Sequence, residues 1–231
     1  MESKPIHEFQ TIIASTFNDL SLLQTALTHR SFVNEYRGGP IEHNERLEFL
    51  GDAVLELVVT DFLYKKFPQK PEGELTSYRA ALVNTNTLAE AANKLGANQF
   101  LRLSKGEARD TGRARQYILA NAFEAIIGAL YLDQGYGAAQ SFIDRTILPL
   151  TDDIVSKRLW QDAKSRFQEV AQERVSITPA YNLLAEAGPD HDKVFRVGVY
   201  LGEECVAYGE GKSKQESEQE AATKALNAKG W

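Results

Sequence analysis

The spacing of apolar residues changes character near residues 155–165, and this change constrains the fold more than any other feature. Before it, apolar residues recur at helical spacing in the segments 8–16, 20–28, 44–67, 74–95, 116–133 and 137–149. After it come a helical segment (163–175), three short β-rich runs (179–188, 193–201 and 204–211) and a helix from Ser213. The sequence therefore predicts an all-α domain followed by a small α+β domain of order α-β-β-β-α.

The predicted boundaries are residues 1–150 for the helical domain, 151–161 for a linker and 162–231 for the α+β domain. The stretch "SKRLWQDAK" (156–164), where the pattern changes, could equally be the tail of a helix. With 231 residues, 43% of them hydrophobic, the chain is long enough to form two cores of its own.

The composition also excludes several classes of protein. The longest apolar stretch, "AVLELVVTDFLY" (53–64), is interrupted by Glu56 and Asp61, and no basic, apolar N-terminal segment is present. We therefore expect no membrane span or export signal, and a cytoplasmic location. Cys205 is the only cysteine, which excludes an intrachain disulfide and a cysteine-based metal site.

The stretch "NERLEFLGD" (44–52) places three acids in a segment that is otherwise apolar. At about 100° per residue, Glu45, Glu48 and Asp52 share an arc of roughly 60° on a helix. A stripe of this kind would line a cleft or a site. The alternative is a solvated face, but such a face normally mixes in Lys, Gln and Ser, and Arg46 is the only cation nearby.

The rest of this predicted helix suggests a buried position in the domain. Gly51 indicates close approach of another backbone, because glycine inside a helix costs about 1 kcal/mol relative to alanine. The remaining positions are mostly apolar, so we expect neighbouring elements to bury them: Leu47, Phe49, Leu50, Val54, Leu57 and Val58.

A second apolar helix, "QYILANAFEAIIGALYLD" (116–133), carries a similar stripe. Between Ile118 and Leu132 its only charged or amide side chains are Asn121 and Glu124, spaced i, i+3. Two such helices offer the carboxylate and amide oxygens that a hard divalent cation prefers. Caps or interhelical hydrogen bonds would explain one stripe alone, whereas the pair favours a metal site.

The first helix of the α+β domain carries an uncharged polar stripe. Ser165, Gln168 and Gln172 are spaced i, i+3, i+7. Uncharged donors and acceptors suit the shallow minor groove of A-form RNA and its 2′-hydroxyl groups.

The last helix begins with features of an anion-binding site. Ser213 and Glu216 have the spacing of a capping box, beside Lys212 and Lys214. "GEGKS" looks like the end of a P-loop, but Val206 stands where that pattern requires glycine. We therefore expect no nucleotide cofactor.

These stretches together resemble the ribonuclease III family. "HNERLEFLGDAVLE" resembles the family signature, and four further blocks agree in order: "ALTHRSF" (26–32), "EGELTSYRAALVNTNTLA" (72–89), "LRLSKGE" (101–107) and "ILANAFEAIIGALYLDQG" (118–135). The C-terminal part resembles the double-stranded-RNA-binding domain of bacterial members. The resemblance covers almost the whole chain.

The resemblance implies an endoribonuclease that cleaves double-stranded RNA, in ribosomal RNA precursors and messenger RNA, to 5′-phosphate and 3′-hydroxyl ends. It implies Mg²⁺, with Mn²⁺ as a plausible substitute, and a homodimer with Phe49 at its interface. It assigns catalysis to Asp52 and Glu124, secondary acidic positions to Glu45 and Glu72, and the metal to Glu48, Asp52, Asn121 and Glu124.

In the C-terminal domain the resemblance implies a set of RNA contacts. Lys212 and Lys214 would approach phosphates across the major groove, and the loop "GPDH" (188–191) would enter the next minor groove. Gln215 replaces a usual lysine or arginine, so backbone contact would be weaker. The full set is Ser165, Gln168, Glu169, Gln172, His191, Lys212, Ser213 and Lys214.

Two features favour other interpretations. Family members commonly carry aspartate at position 121, where this chain has Asn121, so a double-stranded-RNA-binding protein without cleavage is the alternative. With Glu48, Asp52 and Glu124 all present, a working nuclease is the favoured prediction. The net charge of −6 argues mildly against a nucleic-acid partner, although an acidic nuclease domain and a few placed lysines are compatible with one.

Overall fold

The structure, a computed structural model, describes residues 5–109, 111–189 and 193–231. His191, predicted to contact RNA, lies outside the described residues. The chain divides into two compact units, residues 1–160 and 161–231. None of the described helices is long and apolar enough to cross a membrane.

The first unit consists of helices joined by short loops, with three single-turn 3₁₀ segments and one isolated β-bridge between Thr28 and Arg102. Its helices are α1 Ile6–Ile12, α2 Leu20–Ala26, α3 Arg30–Glu35, α4 Glu45–Lys66, α5 Glu72–Val83, α6 Thr85–Lys94, α7 Arg113–Gln134, α8 Tyr136–Thr146 and α9 Thr151–Ser156.

The second unit has the predicted order α-β-β-β-α. Its elements are α10 Ala163–Val175, β1 Ala180–Ala187, β2 Val194–Leu201, β3 Glu204–Gly211 and α11 Lys214–Lys229. The three strands form one antiparallel sheet in the order β1-β2-β3. Phe167 of α10, Val199 of β2 and Ala222 of α11 are fully buried where the two helices cover the sheet. The predicted fold class is confirmed for both units.

Some predicted segments differ in detail. The segment 74–95 is two helices, because Asn84 ends α5 in an extended conformation and caps α6 by accepting a hydrogen bond from the Thr87 N–H at 3.0 Å. Helix α3 was not predicted. Residues 151–156, predicted as linker, form α9, with Thr151 and Ile154 buried.

Helices α4 and α7 form the centre of the first unit and cross in backbone contact. A Cβ atom added to Gly51 would overlap the carbonyl oxygen of Glu124 and lie 2.8 Å from the Gly128 nitrogen. A Cβ atom added to Gly128 would overlap the carbonyl oxygen of Leu47. The close approach predicted from Gly51 is confirmed, and Gly128 is its counterpart on α7.

The prediction that neighbouring elements bury the apolar positions of α4 is wrong for one side of the helix. Phe49 is 82% exposed, Leu57 57% and Tyr64 72%. At 100° per residue these three positions lie within about 80° of one another and form one apolar stripe. The helix packs into the unit through other residues, which include Leu47, Val54 and Val58.

We expect Gly51→Ala to lower the free energy of unfolding by about 1–3 kcal/mol, because the new methyl group overlaps backbone that cannot rotate away. Gly137→Ala on α8 is the matched control, since a Cβ there meets no atom within 4 Å. That control should raise stability by about 0.4–1 kcal/mol by restricting the unfolded chain. Urea unfolding measures the free energy of unfolding of both variants. Equal values would contradict the close backbone contact between α4 and α7 at Gly51.

Candidate active site and RNA-binding surface

The crossing of α4 and α7 brings their polar stripes together. Glu48 and Asp52 stand on either side of Gly51 along α4, and Glu124 precedes Gly128 by one turn of α7. The carboxylates of Glu48 and Asp52 act electrostatically on Glu124, and Asn121 donates toward the Glu48 carboxylate. Four side chains predicted to form one site therefore lie around one helix crossing.

Burial and like charge both disfavour ionisation in this cluster. Burial, with a further contribution from the carboxylates of Asp52 and Glu48, raises the pKa of Glu124 from 4.5 to about 8. Burial also raises the pKa of Glu48, with the Glu45 and Asp52 carboxylates adding to it and the Asn121 amide opposing it. The site holds more negative charge than its own residues neutralise.

Among the described residues, ion pairs occur only at the rim of the cluster. Glu45 is exposed, with a carboxylate oxygen 3.5 Å from the Arg30 guanidinium and the other 3.8 Å from His43 Nδ1. Within the described part of the chain, Glu48, Asp52 and Glu124 have no ion pair. Sequence reasoning missed Arg30 and His43, although both lie in or beside the quoted blocks.

The donor set fits a divalent cation, but its members do not converge on one point. In the described ranges, no three Asp, Glu, His or Cys side chains are grouped closely enough to hold a metal ion as they stand. Uncompensated carboxylates, one of them largely buried, with an amide beside them are the oxygen ligands that a hard cation prefers. A cation here would have to draw the side chains inward.

Glu72 lies apart from the cluster within one chain. It is exposed at the start of α5, where its carboxylate accepts a hydrogen bond from Thr76 Oγ1 at 2.8 Å. It lines a cavity of about 370 Å³ together with Thr60 and Tyr64 of α4. Thr60 is about three turns along α4 from Glu48.

In the second unit, the predicted RNA-contacting residues of α10 share one surface. Ser165, Gln168, Glu169 and Gln172 line a shallow, open depression, which also includes Glu173. Asp162 caps the helix and accepts hydrogen bonds from the Ser165 N–H at 3.0 Å and from its hydroxyl at 2.6 Å. Sequence reasoning missed Glu173, which adds a second carboxylate beside the uncharged stripe.

The start of α11 is capped as predicted, with one difference. The Ser213 hydroxyl accepts a hydrogen bond from the Glu216 N–H at 3.1 Å. The Glu216 carboxylate accepts from the Lys212 N–H at 2.8 Å, one residue before the position that a capping box uses. Lys212, Ser213 and Lys214 are exposed at this end of the helix.

Comparison with known proteins gives matches to both units. A ribonuclease-III-like family model matches residues 19–151, and a double-stranded RNA binding motif matches residues 163–229. Ribonuclease 3 of Bdellovibrio bacteriovorus is 47% identical over 218 residues, which cover 94% of this chain and 93% of its own. Ribonuclease 3 of Enterococcus faecalis is 44% identical and covers 99% of both chains.

A solved structure supports the fold of the helical unit. One solved structure is that of the nuclease domain of ribonuclease III from Campylobacter jejuni, and it concerns structural flexibility in a region involved in dimer formation of that domain. Its sequence is 41% identical to that of this chain, and the two structures align with a TM-score of 0.56. The alignment covers 62% of this chain and 96% of that domain.

The raised pKa of Glu124 predicts a pH dependence of stability in metal-free buffer. Between pH 4.5 and about 8 the folded protein holds a proton on Glu124 that the unfolded chain has released. The stabilisation of the folded state by this proton is therefore complete below pH 4.5 and is lost as the pH rises through about 8. Glu124→Gln cannot ionise, so we expect its stability relative to the parent to increase across this range.

Chemical unfolding at several pH values between 5 and 8.5 measures this difference. Glu42→Gln is the matched control, because Glu42 is exposed in the loop before α4. A Glu124→Gln profile parallel to that of the parent would contradict the assignment of the raised pKa to Glu124.

Proposed function

This chain belongs to the ribonuclease III family, and from that premise we propose how its two units share one reaction. The protein is an endoribonuclease that acts on double-stranded RNA, with a nuclease unit followed by a duplex-binding unit. We infer that the acidic cluster at the crossing of α4 and α7 is the catalytic site. The observation that supports this most is the group of three carboxylates that have no ion pair with any residue that the structure describes.

We propose that Glu48, Asp52, Asn121 and Glu124 hold Mg²⁺, or Mn²⁺ as a substitute, and that Asp52 and Glu124 are catalytic. The bound ion supplies Lewis acidity, lowering the pKa of water and neutralising charge on the phosphate. Glu124 is protonated near neutral pH in the uncompensated cluster, so it must lose its proton to act as a ligand. Glu45, at the rim beside Arg30, is a secondary acidic residue.

We propose that the duplex is bound through α10 and the start of α11. The side chains of Ser165, Gln168 and Gln172 would meet minor-groove edges and 2′-hydroxyl groups, with Glu169 at the margin. Lys212, Ser213 and Lys214 would bind phosphates at a helix N-terminus. The alternative of a duplex-binding protein without cleavage is not favoured, because near-full-length relatives at 44–47% identity are ribonucleases.

The exposed apolar stripe on α4 supports a proposal about assembly. Phe49, Leu57 and Tyr64 expose large side chains along one side of the helix that carries the acids. Exposed apolar patches of this kind mark protein interfaces. We propose a homodimer formed through this stripe, with Glu72 brought near a site only in the dimer, working in the cytoplasm on ribosomal RNA precursors and messenger RNA.

Cleavage and binding should be separable. With Mg²⁺, the parent should cut a long RNA duplex, and chelation should stop it. Glu124→Gln should lower the cleavage rate at least 100-fold but change the dissociation constant for duplex RNA less than threefold, as Glu124 carries no positive charge that could bind the RNA backbone. Gel shift and end-labelled cleavage are the two measurements.

Two further variants complete this test. Lys214→Ala should weaken binding and lower the slope of log K against log salt by about 1. Glu90→Gln, an exposed change on α6, should alter neither activity. Loss of binding in folded Glu124→Gln would contradict the division of labour.

The dimer proposal predicts a specific effect of Phe49. Phe49→Ala should weaken self-association at least tenfold, because it removes the most exposed large side chain of the stripe. Leu159→Ala is the matched control, since Leu159 is 63% exposed outside the stripe and should leave association unchanged. Sedimentation equilibrium compares the three proteins, and identical association constants would remove Phe49 from the interface.

A further inference from the structure

Arg102, in the loop after α6, is a partly buried arginine that has no acidic partner among the described residues. Its guanidinium carbon lies 4.3 Å from the centroid of the Phe32 ring and 5.9 Å from that of Tyr36, and the two rings stack at 5.4 Å. The one hydrogen bond of its side chain among the described residues is long, 3.4 Å from Nη1 to Thr28 Oγ1. Burial lowers the pKa of Arg102.

Two other arginines of the same unit have acidic partners. Arg79 pairs with Glu56 at 2.8 Å, and Arg30 pairs with Glu45 at 3.5 Å. Most of the five N–H donors of Arg102 therefore have no protein partner among the described residues, while the side chain loses part of its hydration.

Backbone hydrogen bonds connect Arg102 to the start of α4. The His29 N–H donates to the Arg102 carbonyl at 3.0 Å, and the Asn44 N–H donates to the Thr28 carbonyl at 2.9 Å. The Asn44 carbonyl accepts from the Glu48 N–H at 2.9 Å, in the first turn of the helix. Asn44 is itself buried. Backbone hydrogen bonds therefore link the segment that carries Arg102 to the first turn of the helix that carries Glu48 and Asp52.

We propose that Arg102 is a phosphate-binding residue of the nuclease unit, which binds the RNA backbone beside the acidic cluster. A guanidinium in contact with an aromatic ring can still present N–H groups to a ligand, and a pair of them matches two oxygens of a phosphodiester. The phosphate supplies the missing anion. This inference rests on the proposed function only in taking duplex RNA as the substrate.

The test is a salt titration of duplex binding with the full chain, in the Glu124→Gln background so that the RNA stays intact. Arg102→Met keeps the contact with the rings and removes the charge. Arg102→Gln also removes the charge and replaces Arg102→Met if that variant does not fold. We expect about tenfold weaker binding at fixed salt and a slope of log K against log salt lower by about 1. Arg102→Lys should retain the slope.

The control is Lys94→Met on α6, which removes one positive charge from an exposed lysine paired with Glu90. It should leave the slope unchanged. A lower melting temperature of Arg102→Met with unchanged affinity and slope would overturn the inference and leave Arg102 a structural contact of α3. Failure of the Glu124→Gln background itself to bind duplex RNA would overturn the proposed duplex binding instead.

Discussion

The backbone contact between α4 and α7 at Gly51 and Gly128 determines the chemistry of the nuclease unit. Without side chains at these positions the helices approach until the Glu124 carbonyl meets α4. The acids on the adjacent turns are thus brought together by packing, at a site where burial and the carboxylates of Asp52 and Glu48 together raise the pKa of Glu124 to about 8. Core packing supplies the free energy that holds like charges close together.

The same electrostatics give a physical reason for an asparagine at position 121. Its amide can donate toward the Glu48 carboxylate, which an aspartate could not do while ionised. A fourth carboxylate beside Glu48, Asp52 and Glu124 would add repulsion to a cluster that already lacks a cation. Asn121 therefore favours the folded protein without metal, while its carbonyl oxygen remains a possible, though neutral, ligand.

The sequence predicted what depends on local spacing and missed what depends on distant partners. The order of elements and the close approach at Gly51 follow from periodicity and from the cost of glycine in a helix. Periodicity could not show that Phe49 is exposed, because an apolar position buried by its own chain and one that faces another protein look alike. Nor could it predict the environment of Arg102, whose contacts Phe32 and Thr28 lie about 70 residues away in sequence.

An acidic chain can bind a polyanion only through individually placed contacts. The net charge of −6 and the carboxylates of Glu169 and Glu173 beside the uncharged stripe of α10 oppose a broad attraction for RNA. Affinity must then come from directed donors, such as the capped start of α11 with Lys214. Because few charges take part, each would account for a large share of the salt dependence, and the shape of the A-form groove would contribute more to recognition than net charge.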